Sequence, residues 1–151
     1  MSHNFEMKWN DKISVGIPEL DEDHRQFIRC AYDLNIALAD NEGKSEVKAL
    51  LRLLVNHAVR HFLREQDLLV KLGFPECPEH AAKCAKLKLF LDFAMKQFEN
   101  ADDRISWELK ALYIEGLLSQ HFQKEDMRYR DFLSYQRSVA KIEDTANTYS
   151  L

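Results

Sequence analysis

The chain has 151 residues, 46% of them hydrophobic and 30% charged, which suits a single domain large enough to bury a core without staples. A net charge of −4 with no long basic stripe gives no electrostatic case for nucleic acid, and no apolar stretch approaches the roughly 20 residues needed to span a bilayer. With only 4 Gly and 3 Pro, long helices are favoured over a turn-rich β fold. The N-terminal MSHNFEMKWNDK lacks the basic-then-apolar pattern of a secretory signal. Three cysteines, Cys30, Cys77 and Cys84, suit a reducing cytoplasm better than a disulfide framework.

Residues 1–19 read as an irregular arm, with Trp9, Ile13, Val15 and Ile17 as candidate anchors and Gly16 and Pro18 as breakers. A first helix is predicted from Asp21, as N-cap, to about Ala39, with an apolar face of His24, Phe27, Ile28, Ala31, Leu34 and Leu38. Asp40 to Gly43 is a stop, and Ser45 is expected to cap a second helix that Gly73 ends. A third helix is predicted from Pro78 to about Phe98, its inner stripe being His80, Cys84, Leu87, Leu91, Ala94 and Phe98. After a polar link, Ser106 is expected to cap a fourth helix reaching about Leu133 and carrying Trp107, Leu112, Leu117 and His121. Four amphipathic helices with short connections predict an all-α, antiparallel up-and-down bundle over residues 1–133. Residues 134–151 read as a C-terminal extension, in which SYQRSVAKIE is able to continue or add a helix and DTANTYSL is expected to fray.

Five of the six histidines, His24, His57, His61, His80 and His121, fall within these helices, and each helix places at least one on or beside its inner stripe. Glu65 follows His61 by one turn, and Glu125 and Asp126 follow His121. A single inward histidine is more often a hydrogen-bonded core residue than a ligand. Four helices that each direct one inward, beside carboxylates, point instead to a metal site of the kind a bundle builds from facing helices. Periodicity alone prefers Glu125 to Asp126 as the partner of His121, because five residues along an ideal helix turn about 140°.

The chain resembles the bacterial type of the hemerythrin family. The resemblance is carried by Trp9 with VGI-x-x-L-D-x-x-H from Val15 to His24, by His61-Phe62-x-x-Glu65, by Gly73-Phe74-Pro75 followed by His80, and by His121-Phe122-x-x-x-Asp126-x-x-Tyr129. It implies reversible O2 binding at a non-haem di-iron centre, for storage, transport or sensing, with O2 as the small-molecule ligand, no membrane or nucleic-acid partner and no catalytic residues. It further implies that His24 and His61 hold the iron with the open position, that His80 and His121 hold the other, and that Glu65 and Asp126 bridge them.

Three positions depart from the family pattern. Cys84 stands where a second histidine follows His80, His57 stands where tyrosine is usual, and Gln66 replaces a common second glutamate. Cys84 has three readings: a thiolate ligand, an inert buried thiol, or part of a site remodelled around His57. A thiolate would favour the ferric state, would raise the relative affinity for softer ions, and leaves zinc or a single metal as alternative occupants. His57 is expected beside the ligands, in a pocket with Phe27, Phe62 and Leu117 that keeps water from the open position. The alternative function is then a modified centre with Cys84 at or near the metal, acting on peroxide, on nitric oxide or in redox and iron handling rather than in O2 carriage. Cys30 and Cys77 are assigned to structure.

Overall fold

The structure, a computed structural model, describes residues 14–149, and side chains as far as residue 139 apart from that of residue 137. The candidate anchors Trp9 and Ile13 lie outside the described residues. Four helices follow in order, α1 (Pro18–Ala39), α2 (Lys44–Lys71), α3 (Cys77–Asn100) and α4 (Arg104–Tyr149), and pack as an antiparallel bundle. The closest pairings are α1 with α2 and α3 with α4. No described helix is long and apolar enough to cross a membrane.

The helix starts differ from the sequence expectation in an instructive way. Pro18, with φ already fixed, opens α1, and Ile17 precedes it in an extended conformation. Asp21, expected as the N-cap, lies inside the first turn and is buried. Its carboxylate accepts the Val15 N–H at 2.8 Å and the Ser14 hydroxyl at 2.6 Å, folding the arm back over the helix end. Gly43, rather than Ser45, precedes α2. Asp103, rather than Ser106, caps α4 by accepting the Ser106 N–H at 2.9 Å and its hydroxyl at 2.6 Å.

The helix ends are set by two left-handed residues. Gly73 (φ 75°) follows α2, where its N–H reaches the Val70 carbonyl at 3.1 Å and the Phe74 N–H reaches that of Leu69 at 3.0 Å. Asn41 (φ 55°) closes α1 in the same pattern, through Leu38 and Ala37. Both are Schellman caps, which return the chain sharply to the next helix. By contrast α4 does not stop near Leu133 but runs 46 residues to Tyr149, because no Gly or Pro interrupts the sequence from Leu133 onward.

Two apolar layers divide the interior. The larger holds Phe27, Leu34, Leu51, Leu54, Leu91 and Phe98 among others, and the smaller holds Val15, Leu20, Leu69, Phe74, Tyr129 and Leu133. Between them lies a layer of buried polar side chains: His24 on α1, His61 and Glu65 on α2, His80 on α3, and His121 and Asp126 on α4. Burying so many polar groups is unfavourable unless they satisfy one another or a ligand.

Candidate metal centre

The spacing of each helix explains which donors face inward. His61 and Glu65 lie one turn apart on α2, as do His80 and Cys84 on α3, so each pair stacks on a single face. On α4, Asp126 is fully buried despite the five-residue interval from His121. Glu125 lies toward the surface instead, paired with Lys83 at 3.0 Å and Arg128 at 3.4 Å. The arrangement implied by the resemblance therefore describes the interior of α4 better than periodicity does.

The donors fall into two groups, and within each the ligand atoms lie within 4.8 Å of one another. One comprises His24, His61, Glu65 and Asp126; the other comprises Glu65, His80, Cys84 and His121. The carboxylates divide their oxygens between the two halves. Glu65 sets Oε2 2.5 Å from His61 Nε2 and Oε1 against His80 Nε2. Asp126 sets Oδ2 2.8 Å from His24 Nε2 and 3.2 Å from His61 Nε2, while Oδ1 lies 3.4 Å from His121 Nε2 and 3.9 Å from His80 Nε2. This is how a carboxylate is placed to bridge two cations.

Three of these atoms, Glu65 Oε1, His80 Nε2 and Asp126 Oδ1, are buried without a properly formed hydrogen bond. The close approach of Glu65 to His80 is therefore a convergence of donors rather than a satisfied pair. Buried polar atoms are normally satisfied, so three exceptions converging at this point of the core fit a site that binds a cation. The donor set fits a pair of metal ions: imidazoles supply neutral ligands, and the carboxylates and a thiol supply the compensating negative charge.

The protonation behaviour of the metal-free cluster shows the same imbalance. Burial lowers the pKa of His80, but Asp126, Cys84 and Glu65 together outweigh it and push it up to about 12. His121 is carried to about 9 in the same manner, against its own burial, by Asp126 and Cys84. His61 is raised well above its ordinary value because Glu65, Asp126 and Asp23 overcome desolvation. Burial would raise Asp126, yet His121, His24, His61 and His80 hold its carboxyl well below the usual carboxylate range. Burial also raises the Cys84 thiol, but His121 and His80, each with a ring nitrogen 3.8 Å from Sγ, outweigh it and lower its pKa. A thiol so placed is biased toward the thiolate that metals bind.

Supporting groups hold the donors in register. Asp23 faces His61 Nδ1 at 3.4 Å and is itself held by Arg64 at 2.8 Å, which directs His61 Nε2 toward the centre. The Tyr129 hydroxyl donates to Glu65 Oε2 at 3.2 Å. Phe122 packs its ring 4.9 Å from His24 and 5.1 Å from His61, and Phe27 meets it at 4.3 Å. Phe62 lies 4.8 Å from His121, and Leu117 packs, half-buried, on the larger apolar layer. His57 is half-buried and belongs to neither donor group.

Sequence reasoning gave no role to Asp23, Tyr129 or the Phe122 ring. Each had a signal: an acid adjoining His24, a tyrosine one turn beyond Asp126, and an aromatic adjoining His121. A fourth omission is Glu115, buried in the stripe of α4 one turn after Ala111, where it accepts the Asn35 side-chain N–H at 3.0 Å. Burial pushes Glu115 up to about 7, partly opposed by Asn35.

Together the fold and the donors define a four-helix-bundle protein with a buried cluster suited to two metal ions. The chain belongs to the hemerythrin family, whose description as the Hemerythrin HHE cation binding domain matches it over residues 15–133. It is 26% identical over 124 residues to a bacteriohemerythrin of Stenotrophomonas maltophilia (strain R551-3), covering 82% of this chain and 78% of that protein. A bacteriohemerythrin of Campylobacter jejuni (serotype O:23/36, strain 81-176) is 26% identical over 126 residues, covering 81% and 92% of the two chains. A hemerythrin-like protein of Naegleria gruberi is 27% identical over 125 residues, covering 83% and 92%. Within that family pattern, one half of this donor cluster uses Cys84 where histidine is expected.

Proposed function

We propose that the protein holds a modified di-iron centre, with Cys84 at one of the metals, and acts in redox chemistry on a small oxidant such as peroxide or nitric oxide rather than as a simple O2 carrier. The observation that carries this reading is the position of Cys84 Sγ, 3.8 Å from both His80 Nδ1 and His121 Nε2 and grouped with Glu65. In this assignment His24 and His61 hold one ion, His80, Cys84 and His121 hold the other, and Glu65 and Asp126 serve both. Two iron ions bound there would supply one electron each to a small ligand. Asp23 and Tyr129 fix His61 and Glu65, while Phe27, Phe62 and Phe122 keep bulk water from the His24 and His61 half. Cys84 contributes negative charge that an imidazole would not, and this favours the oxidised metal over a reduced form poised for reversible binding. His57 and Leu117 complete the surrounding wall.

Reversible O2 binding is the second reading. It is favoured by the half containing His24, His61, Glu65 and Asp126, which keeps imidazole and carboxylate donors alone. The free thiols of Cys30, Cys77 and Cys84 suit a reducing, cytoplasmic setting for either reading. We regard residues 134–151 as an extension beyond the bundle proper, since the family match ends at residue 133.

The test combines metal analysis with optical spectroscopy. The protein as isolated should contain two irons and show a sulfur-to-metal absorption band that disappears in Cys84→Ser. A wild-type spectrum without that band would remove Cys84 from the metal. After anaerobic reduction, an O2 pulse should oxidise the centre without recovery on degassing; a spectrum that reverses would favour the carrier reading instead.

A further inference from the structure

A surface groove of about 350 Å³ lies between α3 and α4 on the Cys84 side of the centre. Its lining includes Lys83, Lys86 and Lys124 at the surface, Leu87 and Phe90 along one side, and His121. His121 is buried and belongs to the donor group of Cys84, so the groove borders that half of the centre at this imidazole. His80 lines a crevice with Phe74 and Arg128 that is too narrow to admit water.

The charge of the groove contrasts with that of the chain. The protein carries a net −4, yet the groove is lined by three ammonium groups and by Glu125 as its one carboxylate. Lys83 pairs with Glu125 at 3.0 Å, which neutralises one ammonium locally. Among the described residues neither Lys86 nor Lys124 pairs with a carboxylate, and Lys86 Nζ lies 5.6 Å from the centre of the Phe90 ring. A rim of two uncompensated cations beside an apolar wall is complementary to a small organic anion. The anionic group would meet Lys86 and Lys124, and its apolar part would lie along Leu87 and Phe90. The volume falls within the range of small-molecule sites.

We infer that this α3–α4 groove is the docking site and access route by which a small organic anion reaches the Cys84 half of the centre. The inference rests on the proposed metal role of Cys84 for its functional meaning, whereas docking itself depends only on the groove. It gives the site a ligand class, an anion of benzoate size, and a direction of approach. A rim of like charge also raises the local anion concentration, so binding should weaken as salt is added.

Benzoate and its neutral analogue benzamide are the probes, titrated by calorimetry into the metal-loaded protein. Benzoate should bind at least fivefold more tightly than benzamide. The double variant K86E/K124E should weaken benzoate at least tenfold. The charge-matched variant K88E/K96E, at exposed positions of α3 outside the groove, should change it by less than twofold. Iodoacetate, itself a small organic anion, should carboxymethylate Cys84 with loss of iodide, and Gln120→Trp, at the exposed lip of the groove, should slow this at least fivefold by mass spectrometry. Equal binding of benzoate and benzamide, or equal losses in the two charge variants, would overturn the docking site. No modification of Cys84 in the wild type, or a rate unchanged by Gln120→Trp, would overturn the access route. Loss of the Cys84 reading is registered separately, by the absence of the sulfur-to-metal band in the wild-type spectrum before any anion is added.

Discussion

The pairing of Asn35 with Glu115 provides a quantitative test of how this bundle tolerates polar groups in its core. The Glu115 side chain is 1% exposed, and Oε1 accepts the Asn35 N–H at 3.0 Å. Glu115 Oε2 and Asn35 Oδ1 have no hydrogen-bond partner. A protonated Glu115 adds a second donor to this pair, whereas an ionised one leaves Oε2 and Asn35 Oδ1 as acceptors without a donor, the Asn35 N–H already serving Oε1. Burial accordingly raises its pKa from 4.5 to about 7. The native state thus binds more protons than the unfolded state between these values, so stability is highest below pH 4.5 and is lost as pH rises through about 7. At 1.36 kcal/mol per unit, the loss is about 3 kcal/mol. Glu115→Gln keeps the shape and provides a permanent donor, so it should match the wild type near pH 4.5 and exceed it by up to about 3 kcal/mol at pH 8. Urea unfolding of both proteins, equally metal-loaded and measured from pH 4.5 to 8, checks this, because their difference cancels titrations common to both. A difference that stays flat across that range would refute the argument that Glu115 is protonated in the native core.

Removal of the metal should expose the electrostatics of the donor cluster. His121 has its pKa raised from 6.5 to about 9 in the metal-free cluster, so its contribution is fully present below pH 6.5 and is lost as pH rises through about 9. That contribution is on the order of 3 kcal/mol. Chelated protein should therefore melt at a higher temperature at pH 6 than at pH 9.5, an order that metal-loaded protein, with His121 held deprotonated at both values, should not share. Tyr129→Phe removes the hydroxyl that donates to Glu65 at 3.2 Å and should weaken metal binding by about tenfold in chelator competition, with a stability cost of about 1 kcal/mol. Gly73→Ala should lower unfolding free energy by about 1 to 2 kcal/mol even though a Cβ there meets no atom within 4 Å, because φ is +75°. Equal stability of the two proteins in denaturant would show that the turn relaxes out of the left-handed region.

What was legible in the sequence and what was not divide along a physical line. The bundle was legible because each helix buries one stripe of apolar residues at helical spacing, and because Gly73 is the kind of residue that a left-handed cap requires. His24, His61, Glu65 and His80 were legible as inward-facing because a polar side chain on an apolar stripe stands out locally. Helix starts were less so: Asp21, Ser45 and Ser106 all have capping side chains, and only the packed ends select Ile17, Gly43 and Asp103. Sequence periodicity likewise favours Glu125 over Asp126, and it takes the packing of α4 against the other helices to bury the aspartate and turn the glutamate toward Lys83. The division of each carboxylate between two groups, the approach of His121 to Cys84, and the cationic groove over His121 depend on contacts between residues far apart in the chain. Local spacing specifies which face a side chain occupies; only the assembled helices determine what it meets there.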